Sequence, residues 1–516
     1  MSSWRVRILR TLPLLAVGAV SLGAMLLGQK NSVQPQPQAD KLALITVPTR
    51  GAGGRGGADK PEGVMPTVPA GFTISVYAEQ PSPRMMVYAP NGDLFVSSPA
   101  SNTIRVYRDA NNDGVFEAQG IYAEGAAAGG RGPAGAPPAG GPPAGGAGRG
   151  AGGPGGAPGG GGRGPGGGAP GGAQAAAPTV DIAELATKVK AAPGVNLGIN
   201  GAILGASAPA CTPPPPFQPG PGTLAQPFGL AFANGYLYAG NTASIVRYKY
   251  TNGDLKAQGE PEKIADLPPG GNHTTRNILF NRAGTKMYVS VGSASNNNAG
   301  EDCRRAAVLE FNPDGTGMRV YGSGIRNPVG LALQPGTDIV WTAINERDQL
   351  GDDLVPDYAT SVKDGGFYGW PYSYIGKNPD PRYVGAFPEL VNRAIVPDVL
   401  IPAHSAALGI TFYEGTQFPQ RYRSGGFVAL HGSWNRSVAA GYRVIFFPMN
   451  NGRPGPIEDF TSGFLSSDGA GGTPITAWGR PVGVTTARDG ALLISDDVGN
   501  KIWKVRAAAG GARRGN

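Results

Sequence analysis

On either side of residues 121–215 the apolar positions fall into short runs that come back in the same order. MVYAPNGDLFVSSPASNTIRVYRD (86–109), QPFGLAFANGYLYAGNTASIVRYKY (226–250) and RPVGVTTARDGALLISDDVGNKIWKV (480–505) share one plan. Each lays out an apolar strand, a tight turn with Gly, a second strand of alternating or continuous apolars, a polar loop and a third strand. RNILFNRAGTKMYVSVGSASNN (276–297) and RNPVGLALQPGTDIVWTAINERD (326–348) repeat the first two strands, and GITFYEGTQFPQRYRSGGFVALHGSWN (409–435) does so with a longer turn. The turn glycines are Gly92, Gly235, Gly284, Gly336, Gly425 and Gly490. Glycine supplies the positive φ that such hairpins need.

Gly235 to Gly284 is 49 residues and Gly284 to Gly336 is 52. Gly92 to Gly235 is 143, which becomes 48 once the 95 residues 121–215 are set aside. That segment therefore interrupts a repeat and does not separate two domains. Six units of this length, each of three or four strands, predict an all-β chain folded as a six-bladed β-propeller, in which radial repetition protects the strand edges.

Composition adds the segments that do not fit the wheel. Gly (85) and Pro (49) make up about a quarter of the 516 residues, with no three-residue period. Most of the excess lies in 124–178, almost all Gly, Ala and Pro, which cannot bury enough apolar surface to order. The expected organisation is a signal peptide or N-terminal anchor over 1–27, a linker over 28–64 and a first blade region over 65–120. A disordered Gly/Ala/Pro-rich insertion follows over 121–215, then the remaining blades over 216–506 and a basic tail over 507–516. Inside the insertion, Val180–Lys190 has the spacing of one short amphipathic helix. Because long loops cost little closure entropy, deleting 125–178 is expected to leave melting and ligand binding nearly unchanged, and loss of soluble protein would show a packed segment.

The net charge of +8 is not a nucleic-acid footprint. Residues 1–60 hold eight Lys/Arg against two Asp, and 121–215 five basic against three acidic groups, so the excess lies in the flanks. Arg5, Arg7 and Arg10 precede the uncharged apolar stretch Leu12–Leu27, the order of an export signal, and the stretch is short for a membrane span. Periplasmic or secreted location follows, with an uncleaved membrane anchor as the alternative. An oxidising compartment would allow the two cysteines, Cys211 and Cys303, to pair. They have no metal spacing, and no C-x-x-C-H run exists for covalent haem.

In such a wheel, chemistry belongs at matched positions near the repeat edges. Two of the three histidines fall there, His273 in GGNHTTRNILF and His431 in LHGSWNRS after an apolar strand, and His404 precedes another blade. Acidic residues gather at Glu346, Asp348, Asp352, Asp353 and Asp357, interspersed with Gly, a composition that suits a hard cation, calcium above magnesium. Asp109-Ala110-Asn111-Asn112-Asp113-Gly114 begins like a calcium loop but has Gly120 at its twelfth position, which favours a polar hairpin. Tyr368, Trp370 and Trp434 could stack a sugar or fill the core.

GGNHTTRNILF, GIRNPVGLAL, INERDQLGDD, GGFYGWPY and GRPVGV, in this order, resemble the glucose/sorbosone dehydrogenase family, exported six-bladed propellers that bind pyrroloquinoline quinone. HGSWNR and RPVGV are most similar to its sorbosone-dehydrogenase-like branch. The resemblance implies that His273 is the base taking the substrate hydroxyl proton while hydride passes to the quinone. It implies that Arg326 lies beside the reactive carbonyl, with Asn327 next to it, and that Gln226 sits at the mouth of an earlier blade. Asn435 or Arg436 falls where relatives hold the cofactor with a lysine. Arg480 matches the first of two carboxylate-holding arginines, and the second position is Val482. In relatives a calcium bridges cofactor and backbone carbonyls; here the matching run is Glu346-Arg347-Asp348-Gln349, without the Gly-Pro, so side-chain ligation by Asp348 becomes an option. The chemistry is consistent: guanidinium forks bind carboxylates bidentately, and a neutral His is a fitting base near pH 7. The implied activity is oxidation of a sugar, sugar aldehyde or related alcohol, with a cytochrome or quinone as acceptor. Ser293 stands after Gly292 where sugar-oxidising relatives have an acid, so the substrate stays open. A non-catalytic propeller that binds a partner and a calcium-dependent propeller lactonase are the alternatives.

Overall fold

The computed structural model describes residues 63–126, 217 and 219–508. The apolar stretch 12–27, Val180–Lys190, most of the insertion, Cys211 and the tail from 509 lie outside the described residues; Cys303, within them, is disulfide-bonded.

Six sheets built on antiparallel strands make up the wheel, and the short strand Gly366–Phe367 joins the third in parallel with Arg319–Ser323. The second strand of each blade is sandwiched between neighbouring blades and buried on both faces, as in Leu94–Ser98, Met287–Val291 and Gly426–Leu430. This is why these strands read as continuous apolar runs. Blade 1 runs from Met86 to Glu124, blade 2 from Leu230 to Asp266, blade 3 from Ile278 to Ser323, blade 4 from Asn327 to Ile401 and blade 5 from Ala407 to Thr461. Blade 6 takes three strands, Pro481–Thr486, Leu492–Asp496 and Lys501–Ala507, from the end of the described chain. Its fourth is Phe72–Glu79, paired antiparallel from Phe72↔Ala507 to Glu79↔Lys501.

That strand corrects the expected first blade region, 65–120. Residues 72–79 belong to the last blade and close the ring, and blade 1 runs on through Glu124. Gly125 and Ala126 are held too. The Gly125 N–H donates to Asn102 O, the Asn102 amide donates to Ala126 O, and a Cβ on Gly125 would meet Leu224 O at 2.1 Å. A deletion of the insertion must therefore begin after residue 126. One turn also departs from the glycine pattern. In blade 5 the positive φ (59°) is carried by Ser424, beside Gly425, because the 3-10 turn Gln420–Tyr422 lengthens the hairpin.

An apolar layer fills each gap between neighbouring blades. Trp341 of blade 4 stacks on Phe447 of blade 5 with centroids 5.8 Å apart, and Phe95 of blade 1 meets Tyr250 of blade 2 edge-on at 5.7 Å. At the hub the first strands converge through Phe228, Val329, Leu408 and Val482, with Met85 against them. The glycine after the apolar hub residue lets adjacent first strands touch backbone to backbone. A Cβ at Gly330 would meet Leu408 O at 2.3 Å, and one at Gly409 would meet Val482 O at 2.5 Å.

First and second strands are antiparallel, so the loop entering the first and the loop leaving the second share one end of the wheel. Pairs such as Asn327↔Asn345 and Pro481↔Asp496 mark that end. Blade 4 adds a long excursion, 366–398, with a small hairpin and the short helix Pro388–Asn392.

Candidate active site

His273, Arg326, His404 and Arg480 come from loops entering first strands, and Asn296, Asp348, His431, Asn435 and Asp497 from loops leaving second strands. Topology alone brings them to the same end.

His273 has a fixed tautomer. Its Nδ1 lies 2.8 Å from Ser293 O and 3.0 Å from Ser293 Oγ, and that hydroxyl itself donates to Ser295 O at 2.6 Å. A carbonyl only accepts, so Nδ1 carries the hydrogen and Nε2 keeps its lone pair. Burial, and after it the Arg326 guanidinium, push the imidazole down to about 3, so it is neutral at physiological pH. Gly292 is required here, since a Cβ would meet Asn327 Oδ1 at 2.3 Å and His273 Cβ at 2.5 Å.

Arg326 is buried and commits its guanidinium to the protein. Nε donates to Asn296 O (3.0 Å), one terminal nitrogen to Glu346 O (2.7 Å) and the other to Asn296 Oδ1 (2.8 Å) and Asp348 Oδ2 (3.2 Å). Asp348 Oδ1 accepts from Asn435 Nδ2 at 2.8 Å and lies 3.3 Å from His404 Nδ1. Burial raises the Asp348 carboxyl, but Arg326, His404 and Asn435 outweigh it and hold the group below its ordinary range. Loops of blades 3, 4 and 5 are thereby tied around one carboxylate.

In this network the side chains of Glu346 and Asp348, expected with Gln349 to hold calcium, are engaged by protein donors. The Glu346 carboxylate accepts from Arg347 Nε at 3.0 Å, both Asp348 oxygens have protein donors, and Gln349 is exposed. The carbonyls of Glu346 and Asp348 are engaged by Arg326 and Asn296. Among the described residues no group of three His, Cys, Asp or Glu could hold a metal. Asp109–Gly114 is likewise a polar hairpin, with Asp109 accepting from Gly114 N and Asp113 bonded to Asn111. Chelation is therefore expected to leave melting temperature and quinone affinity unchanged, while Asp348→Ala, which unpairs Arg326 and His404, lowers both. A calcium-dependent gain in quinone affinity would overturn this.

The remaining expected residues divide. Asn327 and Asn435 each bury an Oδ1 without a hydrogen-bond partner, at the same end as His273. Arg480 donates Nε to His431 O (2.8 Å) and one terminal nitrogen to Gly432 O (2.6 Å), and lies over the Tyr442 ring at 5.3 Å. Arg436 turns to the rim, bonding Asp352 O, Val438 O and Asp353 Oδ1. Gln226 is exposed, in a left-handed conformation, and accepts from Thr242 Oγ1 at 3.3 Å. Tyr368 and Trp370 are buried, the Trp370 indole donating to Asn296 O, whereas Trp434 is 61% exposed on the blade 5 loop.

Sequence reasoning missed two partners. Asp497 accepts from His431 Nε2 at 2.9 Å and pairs with Arg84 at 2.8 Å. The signal for Arg84 was its position one residue before Met85, the hub residue of the first repeat, as Arg480 stands two before Val482.

A model of the family described as TrAA12-like matches residues 222–360 and 391–508. An uncharacterized protein of Borreliella burgdorferi is 30% identical over 299 residues, covering 55% of this chain and 76% of that protein. The aldose sugar dehydrogenase YliI of Escherichia coli is 25% identical over 166 residues, 29% of this chain and 43% of that enzyme, so this match spans under half of that relative. In fold, the holo pyrroloquinoline-quinone domain of pyranose dehydrogenase from Coprinopsis cinerea superposes with a TM-score of 0.57 at 16% identity, covering 88% of this chain and 99% of that one. The fold is a six-bladed propeller, and the sequence is similar over part of its length to quinone-dependent sugar dehydrogenases. The chain belongs to the TrAA12-like family.

Proposed function

We propose that this protein is an exported quinoprotein dehydrogenase that oxidises a sugar, sugar aldehyde or related alcohol. The electrons then pass to an external acceptor, a cytochrome or a quinone. The observation that carries the reading is His273: a neutral imidazole locked with Nε2 unprotonated, beside a buried guanidinium. HGSWNR and RPVGV favour a sorbosone-type substrate within that range.

The residues present suit a planar anionic quinone. The third side-chain nitrogen of Arg480 makes no hydrogen bond among the described residues and is a donor left for an anionic group. Bound pyrroloquinoline quinone would supply an electrophilic carbonyl that accepts hydride. His273 Nε2 takes the substrate hydroxyl proton as the carbon–hydrogen bond is lost, leaving a carbonyl product. Arg326, held at its five donors, contributes a fixed positive potential that needs no reorganisation during the reaction. The exposed Trp434 ring gives the rim a stacking face for a sugar.

The test is spectroscopic. Purified protein mixed with pyrroloquinoline quinone is expected to retain a chromophore through gel filtration and to show its reduction when aldoses or sugar aldehydes are added. No retained chromophore would refute the reading.

A further inference from the structure

The loop entering blade 3, Pro268-Pro269-Gly270-Gly271-Asn272-His273, has little means of holding itself. Its two prolines carry no N–H, and Gly270 and Gly271 take positive φ values of 69° and 81°. The donors that its carbonyls need come from two arginines placed just before strands of the same blade. Arg276 precedes Ile278–Phe280, and Arg305 precedes Ala307–Phe311.

Arg276 is fully buried. One of its terminal nitrogens donates to His273 O (2.9 Å) and Thr275 O (2.7 Å), and the other to Pro268 O (3.0 Å). Arg305, also buried, donates from one terminal nitrogen to Pro268 O (3.1 Å), Pro269 O (2.7 Å) and Gly270 O (2.8 Å). Its other terminal nitrogen reaches Gly292 O at 3.3 Å. Gly292 precedes Ser293, whose carbonyl faces His273 Nδ1. Arg276 thus holds the backbone of His273, and Arg305 spans from the loop of His273 to the loop that supplies its acceptor. The two loops meet without slack: Asn272 N donates to Ala294 O at 2.7 Å, and a Cβ on Gly271 would stand 2.6 Å from Ala294 Cα.

Neither guanidinium has a carboxylate within ion-pair distance among the described residues. The nearby Glu301 carboxylate accepts from Ala294 N and Ser295 N, and Asp302 pairs with Arg304. Desolvation, and after it Arg305, push Arg276 down to about 9, so it is still a cation at neutral pH. Two like charges buried together without a counter-charge stabilise a fold poorly, and neutral donors would bond the same carbonyls at lower cost. What the pair does face is His273, where Arg276 adds to Arg326 in opposing protonation of the ring.

We propose that Arg276 and Arg305 are positioning residues for the base: they brace the 268–275 loop against Gly292, so that the His273 ring keeps Nδ1 on Ser293 O and leaves Nε2 bare. The assignment rests on the reading of His273 as the base.

The test uses full-length apoprotein isotopically labelled at histidine nitrogen. The chain has three histidines, and His273→Ala identifies the signals of that ring. Wild type at neutral pH is expected to show the Nδ1–H tautomer alone. Arg276→Met is expected to show a mixture of tautomers. Once reconstituted with quinone, it should also reduce the cofactor roughly tenfold to a hundredfold more slowly at saturating substrate, with quinone affinity unchanged. Arg276→Lys keeps the charge but cannot reach Pro268 O and His273 O together, so its tautomers are expected to stay mixed. Arg305→Met leaves every Arg276 bond in place and serves if the Arg276 variants fail to fold. A single Nδ1–H tautomer in the Met variants, whatever their rates, overturns the brace. Its return in Arg276→Lys does the same, by leaving charge as the cause. Mixed tautomers with an undiminished rate sustain the brace and remove His273 as the base. If wild type retains no quinone, the quinone reading falls, and the tautomers of the apoprotein still decide the brace.

Discussion

His273→Ala is expected to keep bound quinone and to lose turnover by roughly 10²–10⁴-fold, the range that general-base catalysis supplies. The reductive half-reaction of reconstituted protein, with cofactor occupancy checked, measures it. Substrate proton transfer acts in the transition state, so a quinone affinity that falls with the rate would assign His273 to binding instead. The pH dependence carries a second signature. The base works only when unprotonated, and burial with Arg326 pushes His273 down to about 3. The acid limb of the free-enzyme profile should therefore lie far below the ordinary histidine range, with a flat rate through neutrality. His431→Ala is the necessary control. If it abolishes turnover while His273→Ala does not, the base is His431, which has the carboxylate of Asp497 behind it.

The largest stability loss is expected at Asp380, remote from any reacting atom. Arg347 and Asp380 are both fully buried, 3.1 Å apart, and Arg347 also bonds Pro371 O, Ser373 O and Glu346 Oε2. Asp380 further accepts from Asn297 Nδ2 at 2.8 Å and from Arg382. This cluster pins the blade 4 excursion to the loop that carries Asp348. Asp380→Ala leaves a buried guanidinium short of a counter-charge and should cost about 3–5 kcal/mol in urea or thermal unfolding. A loss below about 1 kcal/mol would show that the cluster relaxes or admits water. Burial raises the Asp380 carboxyl, but Arg347 and Arg382 more than reverse it, so its folded value is depressed. Its contribution is complete above the unfolded value of about 3.9 and is lost as pH falls through the lower folded value.

Much of this was legible in the chain because propeller repeats are local. Each hairpin carries its own alternation and its own turn glycine, so six units could be counted before any contact was known. His273, Arg326 and Arg480 were singled out by the motifs they stand in, GGNHTTRNILF, GIRNPVGLAL and GRPVGV, and their roles are what the resemblance of those motifs implies. Three features were not legible. The closing strand 72–79 looks like the start of blade 1, because nothing within eight residues says which neighbour 400 residues away will pair with it. The counter-charges of the acidic run were hidden because a run of acids does not reveal them; Arg326, His404 and Asn435 reach Asp348 from three other loops. Arg84 escaped notice because its partner Asp497 lies at the opposite end of the chain and meets it only when the ring closes.

The sequence by itself determined the architecture and the insertion, since period and spacing are properties of short segments. Tertiary structure alone decided the charge balance of the site. Whether a carboxylate binds a metal or an arginine, and whether an arginine is committed or free, depends on donors and acceptors delivered by different blades, and these are brought within hydrogen-bonding distance only by the closed wheel.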